Sequence, residues 1–332
     1  MKAKGSSNSR SVNESDVVPA RRRAVPLLLV LVTGVIVSLA IFDLVYHWET
    51  YDEAERLRSQ FQLDAQEVVW AIHQELGTHV QVLQSLGALF QASEQVTREE
   101  FEVFASKLTE AVPSIQALEW IPRVKHLQRS RFEEQARTAI PGFRINELDE
   151  HGALIPAPLR DKYFPVLFVE PYVGNESALG FDLASETIRR EALHRARENG
   201  QITVSGPITL VQETATQAGV LAYLPIYRKG ASLTSVAQRR EHLQGFALVV
   251  CRVGDLIEHA IARLAGEGVD VWIFDATAPS SPELLHVDAD PASGGDSPRS
   301  PPANALNAKD SFEVGGRRWE VIAAPAPDAV AL

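Results

Sequence analysis

Cysteine and an excess of positive charge are the two things this sequence conspicuously lacks. Its 332 residues include one cysteine, Cys251, which excludes an intramolecular disulfide and a zinc site built on several thiolates. Basic residues number 32 against 43 acidic ones, and the net charge of −11 argues against a nucleic-acid partner. With 45% hydrophobic and 23% charged residues, the composition is that of an ordinary globular protein.

The sequence also lacks the motifs by which common catalytic sites are recognised. It contains no G-x-S-x-G segment, no P-loop and no Rossmann fingerprint. Its nine histidines show neither the HxxxH nor the HExxH spacing of a metal site. Cys251 lies in an apolar segment, which is typical of an inert core residue. We therefore predict no catalytic residue, no metal ligand and no cofactor.

One long apolar run predicts a membrane-spanning helix. Residues 24–42 (AVPLLLVLVTGVIVSLAIF) contain no ionisable side chain, and as a helix they extend about 28 Å, close to the thickness of a bilayer core. A cleaved signal peptide is the alternative, but its apolar region is usually shorter, about 7–15 residues. Arginines at 21–23 precede the run and acidic residues follow it. The positive-inside rule therefore predicts that residues 1–23 lie in the cytoplasm and that residues 43–332 lie in the periplasm or outside the cell. The helix between them is expected to span the inner (cell) membrane. The polar residues 1–23 are expected to form a disordered tail.

Residues 43–92 predict a long amphipathic helix, called the stalk helix below. Apolar residues recur every three or four positions from Leu57 to Phe90, and proline is absent. Their near-heptad spacing suits a parallel homodimer through this helix. Packing along its own domain is the alternative, and each can hold over a different stretch.

The rest of the chain predicts an α+β fold with two antiparallel sheets. Thr97 to Glu100 form a capping box that opens a helix, and residues 186–199 predict another helix, closed by Gly200. A polar loop is expected at 228–241, a short helix at 255–264, a loop or linker at 279–302 and a closing hairpin around Gly315. Glu119 and Trp120 are interpreted as structural, with the indole packing against the stalk helix. Strands are predicted at 115–124, 142–148, 164–169, 202–205, 209–212, 220–227, 246–253 and 269–275.

Several segments stand out in order along the chain: EWIPRV, RSRFEEQAR, PGFRINEL, PLRDKYFPVLFVEPYVGNESALGFDLASE, RREALHRARENGQITVSGPITLVQE and GVLAYLPIY. Together they resemble a CHASE domain, the extracytoplasmic sensory module of bacterial histidine kinases, diguanylate cyclases and plant cytokinin receptors. The resemblance is dense over residues 99–251. It implies two PAS-like sheet subdomains after the stalk helix, a membrane-distal one at 93–240 that binds a small ligand and a membrane-proximal one at 241–325.

The resemblance also implies where the ligand binds. In the cytokinin receptors an acidic residue near the start of the helix before the R-A-R-E segment pairs with an adenine-type ring edge. That position is held here by Arg189 or its neighbours, and Tyr223 replaces a threonine of those receptors. An arginine suits a carboxylate or phosphate, so the ligand is expected to be anionic or purine-like; a solvated helix face is the alternative for Arg189. The candidate ligand-binding residues, each of which could equally be an ordinary core residue, are Tyr163, Phe164, Arg189, Ser205, Leu210, Val211 and Tyr223.

These features predict an extracytoplasmic small-molecule sensor of a membrane-bound signal-transduction receptor. Ligand occupancy is expected to pass along the stalk helix to a cytoplasmic output module, a histidine kinase or a diguanylate cyclase. That module is expected C-terminal to this segment or on a partner protein. A membrane-anchored extracytoplasmic enzyme and a scaffold domain without a ligand are the alternatives.

Overall fold

Helix α1 runs without a break from Arg21 to Ala92 in a computed structural model of the chain. The structure describes residues 21–211, 217–262, 264, 269–288, 301 and 307–326. The predicted tail before residue 21, Gln212 and the predicted linker beyond residue 288 lie outside the described residues, apart from residue 301. The chain divides into two compact units, Met1–Gln60 and Phe61–Leu332.

The first unit contains the apolar part of α1. Leu29–Trp48 is a 20-residue segment that is long and apolar enough to cross a membrane, and none of it is buried. At about 1.5 Å per residue it matches a hydrocarbon core of about 30 Å. An N-terminal apolar helix is thus confirmed, and it extends six residues beyond the predicted limit at Phe42.

In the second unit, the described residues form five shorter α-helices and thirteen strands besides the remainder of α1. Thr97 caps α2 with a complete capping box to Glu100, as predicted. The helices are α2 Arg98–Ala111, α3 Arg129–Ala139, α4 Thr187–Asn199, α5 Val236–His242 and α6 Val253–Ile261. The strands are β1 Ala117–Pro122, β2 Val124–Lys125, β3 Asn146–Leu148, β4 Leu154–Pro156, β5 Lys162–Tyr163, β6 Phe168–Glu170, β7 Thr203–Val204, β8 Gly219–Tyr227, β9 Leu243–Arg252, β10 Val269–Asp275, β11 Glu283–Asp288, β12 Ala308–Val314 and β13 Arg317–Pro325.

Two antiparallel sheets organise these strands and confirm the predicted α+β class. The first sheet has the order β6-β1-β9-β8-β7, and the second has the order β11-β10-β13-β12. The strands between β1 and β6 in the sequence form two small ribbons, β2 with β5 and β3 with β4. Gly315 and Gly316 adopt positive φ angles in the hairpin between β12 and β13, as such tight turns require.

Both faces of the first sheet are buried. Successive residues of a strand point to opposite sides of the sheet, so each strand contributes residues to both faces. On one side Leu118 and Val249 pack in a core shared with Ile72 and Leu86 of the stalk helix. We call this side the stalk face. Gly87 lets the helix come close, since a methyl group there would lie 2.3 Å from Leu224 Cδ2.

The opposite side of the first sheet is covered by α4. Ile121, Phe246 and Leu248 pack there against Ala192 and Leu193 of that helix. We call this side the α4 face. Consecutive residues of β1 and β9 therefore lie on opposite faces of the sheet and have different surroundings.

The second sheet extends the core of the stalk face. Trp319 and Val321 of β13 and Ile273 of β10 belong to the same buried cluster as Ile72. Farther along the stalk helix, Phe61 and Ala65 pack against Ala323. The stalk helix thus contacts both sheets within the second unit.

Three of the predicted segments are corrected by the structure. The predicted loop 228–241 contains α5, whose Ser235 side chain forms a capping box with Gln238. The predicted loop 279–302 contains β11, which pairs with β10. Residues 209–211 of the predicted strand 209–212 form no strand. Polar composition concealed the first two elements, because neither carries an apolar periodicity of its own.

The predicted boundary between the subdomains, at residues 240 and 241, falls before β9. That strand is central in the first sheet and pairs along its length with both β1 and β8. We therefore propose that the boundary lies after Arg252, where α6 begins.

Candidate functional site

Helix α4 places an arginine against the first sheet. The Glu186 side chain caps the helix by accepting the backbone N–H groups of Ile188 and Arg189, at 2.9 and 3.0 Å. Residues three or four apart then share one face, and the buried side of α4 consists of Arg189, Ala192, Leu193, Ala196 and Arg197. Arg189 is only 4% exposed, so the solvated-helix-face alternative is wrong.

The sheet presents two polar side chains to this helix. Glu119 of β1 lies opposite Leu248 of β9, and Leu248 lies opposite Tyr223 of β8. Residues in register on adjacent strands point to the same side, so Glu119 and Tyr223 share the α4 face. Since two strand spacings separate them, their backbones are about 10 Å apart.

The Arg189 guanidinium has three polar or aromatic contacts. Its Nη2 donates to the Thr209 carbonyl at 2.7 Å, and its Nη1 lies 3.4 Å from a Glu186 carboxylate oxygen. The guanidinium also lies over the Phe181 ring, 5.3 Å from the centroid. Its buried Nε has no hydrogen-bond partner among the described residues.

Glu119 is buried without a partner. The side chain is 3% exposed, and its carboxyl group has no hydrogen bond or ion pair with any residue that the structure describes. Burial raises its pKa to about 8, although the positive charge of Arg189 opposes this shift. Glu119 is therefore largely a neutral carboxylic acid at pH 7, able to donate as well as accept a hydrogen bond.

Tyr223 completes the set. Its hydroxyl is buried and has no partner among the described residues. Burial raises the pKa of Tyr223, Arg189 lowers it, and Glu119 and Glu186 raise it further. These electrostatic couplings place Glu119, Arg189 and Tyr223 in one neighbourhood, which we call the buried polar cluster.

The buried polar cluster is suited to a polar ligand. A buried polar group without a partner costs about 1–3 kcal/mol, and native proteins contain few of them. Arg189 Nε, the Tyr223 hydroxyl and the protonated Glu119 carboxyl each have a hydrogen to donate. A molecule that brings acceptor oxygens to these three donors regains that energy on binding.

Three other candidate ligand-binding residues belong to the surrounding core. Phe164 and Leu210 are buried in the α4-face cluster, and Val211 is half-buried beside it. The Phe164 ring lies 5.7 Å from that of Phe246, and its backbone N–H donates to Asp182 at 2.8 Å. Their role as pocket wall stays a prediction.

The remaining two candidates already have hydrogen-bond partners elsewhere. The Tyr163 hydroxyl donates to the Pro158 carbonyl at 3.1 Å and accepts the Arg160 backbone N–H at 2.9 Å. The Ser205 hydroxyl donates to the Gly206 carbonyl at 2.7 Å and accepts the Leu221 backbone N–H at 3.0 Å. The structure therefore does not group the hydroxyls of Tyr163 and Ser205 with the unpartnered donors.

The sequence interpretation missed the position of Glu119 in this site. The alternation in A-L-E-W-I-P could have revealed it, because Glu119 lies between Ala117 and Ile121 on an apolar face. The interpretation of Trp120 as a residue that packs against the stalk helix is supported by the structure. The Trp120 ring stacks on the ring of Phe90, and the two centroids are 3.9 Å apart.

In the part of the chain that the structure describes, no three His, Cys, Asp or Glu side chains are grouped so as to hold a metal ion.

Two curated relatives are histidine kinases of eukaryotes. Hybrid signal transduction histidine kinase A of Dictyostelium discoideum is 24% identical over 294 residues, covering 83% of this chain and 14% of that protein. Histidine kinase 3 of Arabidopsis thaliana is 24% identical over 220 residues, covering 63% of this chain and 21% of that protein. This chain thus spans less than a quarter of the length of either relative.

Among solved structures, the periplasmic sensory domain of the Campylobacter jejuni chemoreceptor Tlp1 matches over 82% of this chain and 94% of that domain. The sequence identity is 13% and the TM-score is 0.45.

A family model places the whole site within one recognised domain. The model of the CHASE domain matches residues 94–286, which include β1, α4 and β8 and make up more than half of the chain. With that match, the chain belongs to the CHASE domain family.

Proposed function

We propose that this chain senses a small molecule outside the cytoplasm for a membrane-bound receptor, and that the ligand binds at the buried polar cluster. The family role of the CHASE domain as a sensory module supports the sensing function. One observation carries the position of the site: the unpartnered Arg189 Nε and Tyr223 hydroxyl lie on the α4 face of the first sheet together with the buried carboxyl group of Glu119.

The ligand that fits best carries an anionic group, such as a carboxylate. At neutral pH all three unpartnered groups have hydrogens to donate, and Arg189 adds a permanent positive charge. A purine edge presents donors as well as acceptors and so matches three donors less well. Charge-assisted hydrogen bonds from Arg189 would also be stronger than neutral ones.

Binding would reach the stalk helix through β1. Glu119 points to the α4 face, and the next residue, Trp120, points to the stalk face and stacks on Phe90. A ligand that binds more tightly to one packing of β1 than to another shifts the population between them. The displacement of β1 would thereby change how the sheet packs on the stalk helix.

The apolar segment Leu29–Trp48 supports attachment to a membrane. We propose that it spans the inner (cell) membrane with the basic N-terminal residues in the cytoplasm, because positively charged segments are retained on that side. The sensory unit would then lie in the periplasm or outside the cell. Fusing a reporter to Gly230 tests the orientation, and a cytoplasmic signal there would contradict it.

A second copy of the chain is the expected partner of the stalk helix. Leu63 and Trp70 are seven residues apart and leave 67% and 63% of their surfaces exposed. Residues at this spacing lie on one side of a helix, as in a coiled-coil seam. We propose a parallel homodimer in which two stalk helices shift relative to one another when ligand binds.

The output is proposed to be cytoplasmic. The two relatives named above are histidine kinases, and a histidine kinase or diguanylate cyclase module is the kind of partner that such a sensor controls.

A thermal-shift screen of the full chain in detergent tests the ligand site. We expect an organic acid or amino acid to raise the melting temperature, because a ligand that binds only the folded state stabilises it. Arg189→Gln should abolish this response, whereas Arg318→Gln, at an exposed arginine of the second sheet, should preserve it. Responses unchanged by both Arg189→Gln and Glu119→Gln would contradict binding at the buried polar cluster.

A further inference from the structure

A second arginine on the buried side of α4 lies eight residues beyond Arg189. Arg197 is 6% exposed, and its Nε is buried with no hydrogen-bond partner among the described residues. Its Nη2 donates to Glu198 Oε1 at 2.8 Å. At about 1.5 Å per residue, Arg197 is about 12 Å from Arg189 along the helix and belongs to a different environment.

Arg240 contacts the same carboxylate, and Arg123 is bonded to the backbone of the helix that carries Arg240. Arg240 of α5 donates through Nε to Glu198 Oε1 at 3.0 Å, so Arg197 and Arg240 share one acceptor oxygen. Arg123 donates to the Arg240 and Glu241 carbonyls at 2.6 and 2.9 Å. Three arginines from β1's C-terminal end, α4 and α5 are thereby held together by hydrogen bonds.

Lys162 of β5 adds a fourth positive charge. Burial lowers the pKa of Lys162, and the neighbouring charges of Arg197, Arg123 and Arg240 lower it further, whereas Asp161 raises it. We call Arg123, Lys162, Arg197 and Arg240 the basic cluster. Glu198 and Asp161 oppose these four charges.

His194 borders the basic cluster, and charges of that cluster act on its pKa. Burial lowers its pKa, and Arg197, Lys162 and Arg190 lower it further, whereas Glu198 raises it. His194 is therefore neutral near pH 7, so it can bond to an anion through its ring N–H without adding to the repulsion.

This concentration of positive charge is unusual in a chain with a net charge of −11. Burying an arginine costs free energy unless its charge is compensated and its donors are satisfied. Glu198 is shared between Arg197 and Arg240, and Arg197 Nε has no acceptor. An anion with several oxygens supplies both the missing acceptor and the missing negative charge.

We propose that the basic cluster is a second binding site, for an oxyanion such as phosphate or a polycarboxylate. Arg197 forms the buried end of the site, and the exposed side chains of Lys162 and Arg240 form its entrance. The proposal stands on these contacts and does not depend on the ligand at the buried polar cluster.

Isothermal titration calorimetry of the full chain in a maltoside detergent tests the site without lipid phosphate. Inorganic phosphate and citrate are titrated separately at constant ionic strength against a sodium chloride blank. We expect saturable binding of at least one of them, weakened about tenfold in Arg197→Gln because a charge-assisted hydrogen bond is lost. Arg318→Gln, at an exposed arginine outside both clusters, should bind as the unsubstituted chain does.

Two exposed positions keep the test decisive if Arg197→Gln does not fold. Lys162→Gln and Arg240→Gln should each weaken binding about threefold, since each removes one of the charges that attract the anion. The proposal is overturned if no saturable heat is observed, or if both exposed variants bind as tightly as the unsubstituted chain. It is likewise overturned if Arg189→Gln alone abolishes binding, which would assign the anion to the buried polar cluster.

Discussion

The two faces of the first sheet differ in whether their buried polar groups have hydrogen-bond partners. On the stalk face, His79 lies with its Nδ1 3.1 Å from Cys251 Sγ and its Nε2 2.8 Å from Ser114 Oγ. The Ser114 hydroxyl donates to Glu75, so it accepts the Nε2–H of His79. On the α4 face, Glu119 and Tyr223 have no hydrogen-bond partner in the described chain.

This difference matches a structural role on the stalk face and the proposed binding role on the α4 face. The four side chains of the stalk-face network, Glu75, His79, Ser114 and Cys251, satisfy one another and leave no donor for a ligand. Such a network fixes how the stalk helix packs on the sheet. The buried polar cluster has the opposite property, because its groups gain partners only when a ligand or a rearrangement supplies them.

Breaking the stalk-face network is the largest expected effect. His79→Ala leaves Glu75, Ser114 and Cys251 with lost partners, and we expect the free energy of unfolding to fall by about 3 kcal/mol. Urea unfolding of the full chain in detergent, followed by tryptophan fluorescence, measures this change. His73→Ala is the matched control on the same helix, since His73 is exposed, and should cost under about 1 kcal/mol. Equal losses in both variants would contradict the comparison.

The pH dependence of stability should differ once Glu119 is replaced. The pKa of Glu119 in the folded chain is about 8, against an ordinary value of 4.5. Because the folded state binds the proton more tightly, stability from this group is complete below pH 4.5 and is lost as pH rises through 8. Glu119→Gln should therefore gain stability relative to the unsubstituted chain as pH rises across this range, with the largest difference at its alkaline end.

The stalk-face network provides the control for that measurement. Hydrogen bonding to His79 lowers the pKa of Glu75 to about 2, despite its partial burial. Stability from Glu75 is therefore present above pH 4.5 and is lost as pH falls through 2, so Glu75→Gln should remove this loss on the acidic side of the profile. A Glu119→Gln profile parallel to that of the unsubstituted chain between pH 4.5 and 8 would contradict the burial of an unpartnered carboxyl group.

The smallest expected effect compares two buried tyrosines. Tyr223→Phe removes a hydroxyl without a partner and should stabilise the ligand-free chain by about 1 kcal/mol, whereas Tyr163→Phe removes a bonded hydroxyl and should destabilise it by about 1 kcal/mol. Thermal unfolding of the two variants measures the difference in sign. Destabilisation by both would indicate that the Tyr223 hydroxyl is satisfied in solution.

Much of the fold could be predicted because its signals are local. The capping box at Thr97, the end of α4 at Gly200 and the hairpin at Gly315 each depend on a few adjacent residues. Helix α5 has a local signal too, the Ser235–Gln238 capping box, but no apolar periodicity drew attention to it. Strand β11 was concealed by the proline-rich and serine-rich residues around it.

The candidate site could be predicted only in part, because its geometry is not local. Arg189 and Tyr223 were named from their sequence context, but the burial of Arg189 depends on how α4 docks on the sheet. Glu119 precedes Arg189 by 70 residues, and nothing in either segment indicates that they meet. Tyr163 and Phe164 are adjacent in the sequence, yet their side chains belong to different cores.

The alternation of β1 also restricts how this protein can evolve. Glu119 and Trp120 are consecutive, so inserting or deleting one residue between Ala117 and Glu119 would exchange the surfaces to which the carboxyl and the indole are presented. Homologous chains should therefore tolerate length changes in pairs within this segment, or none at all, while single-residue changes accumulate in the turns on either side.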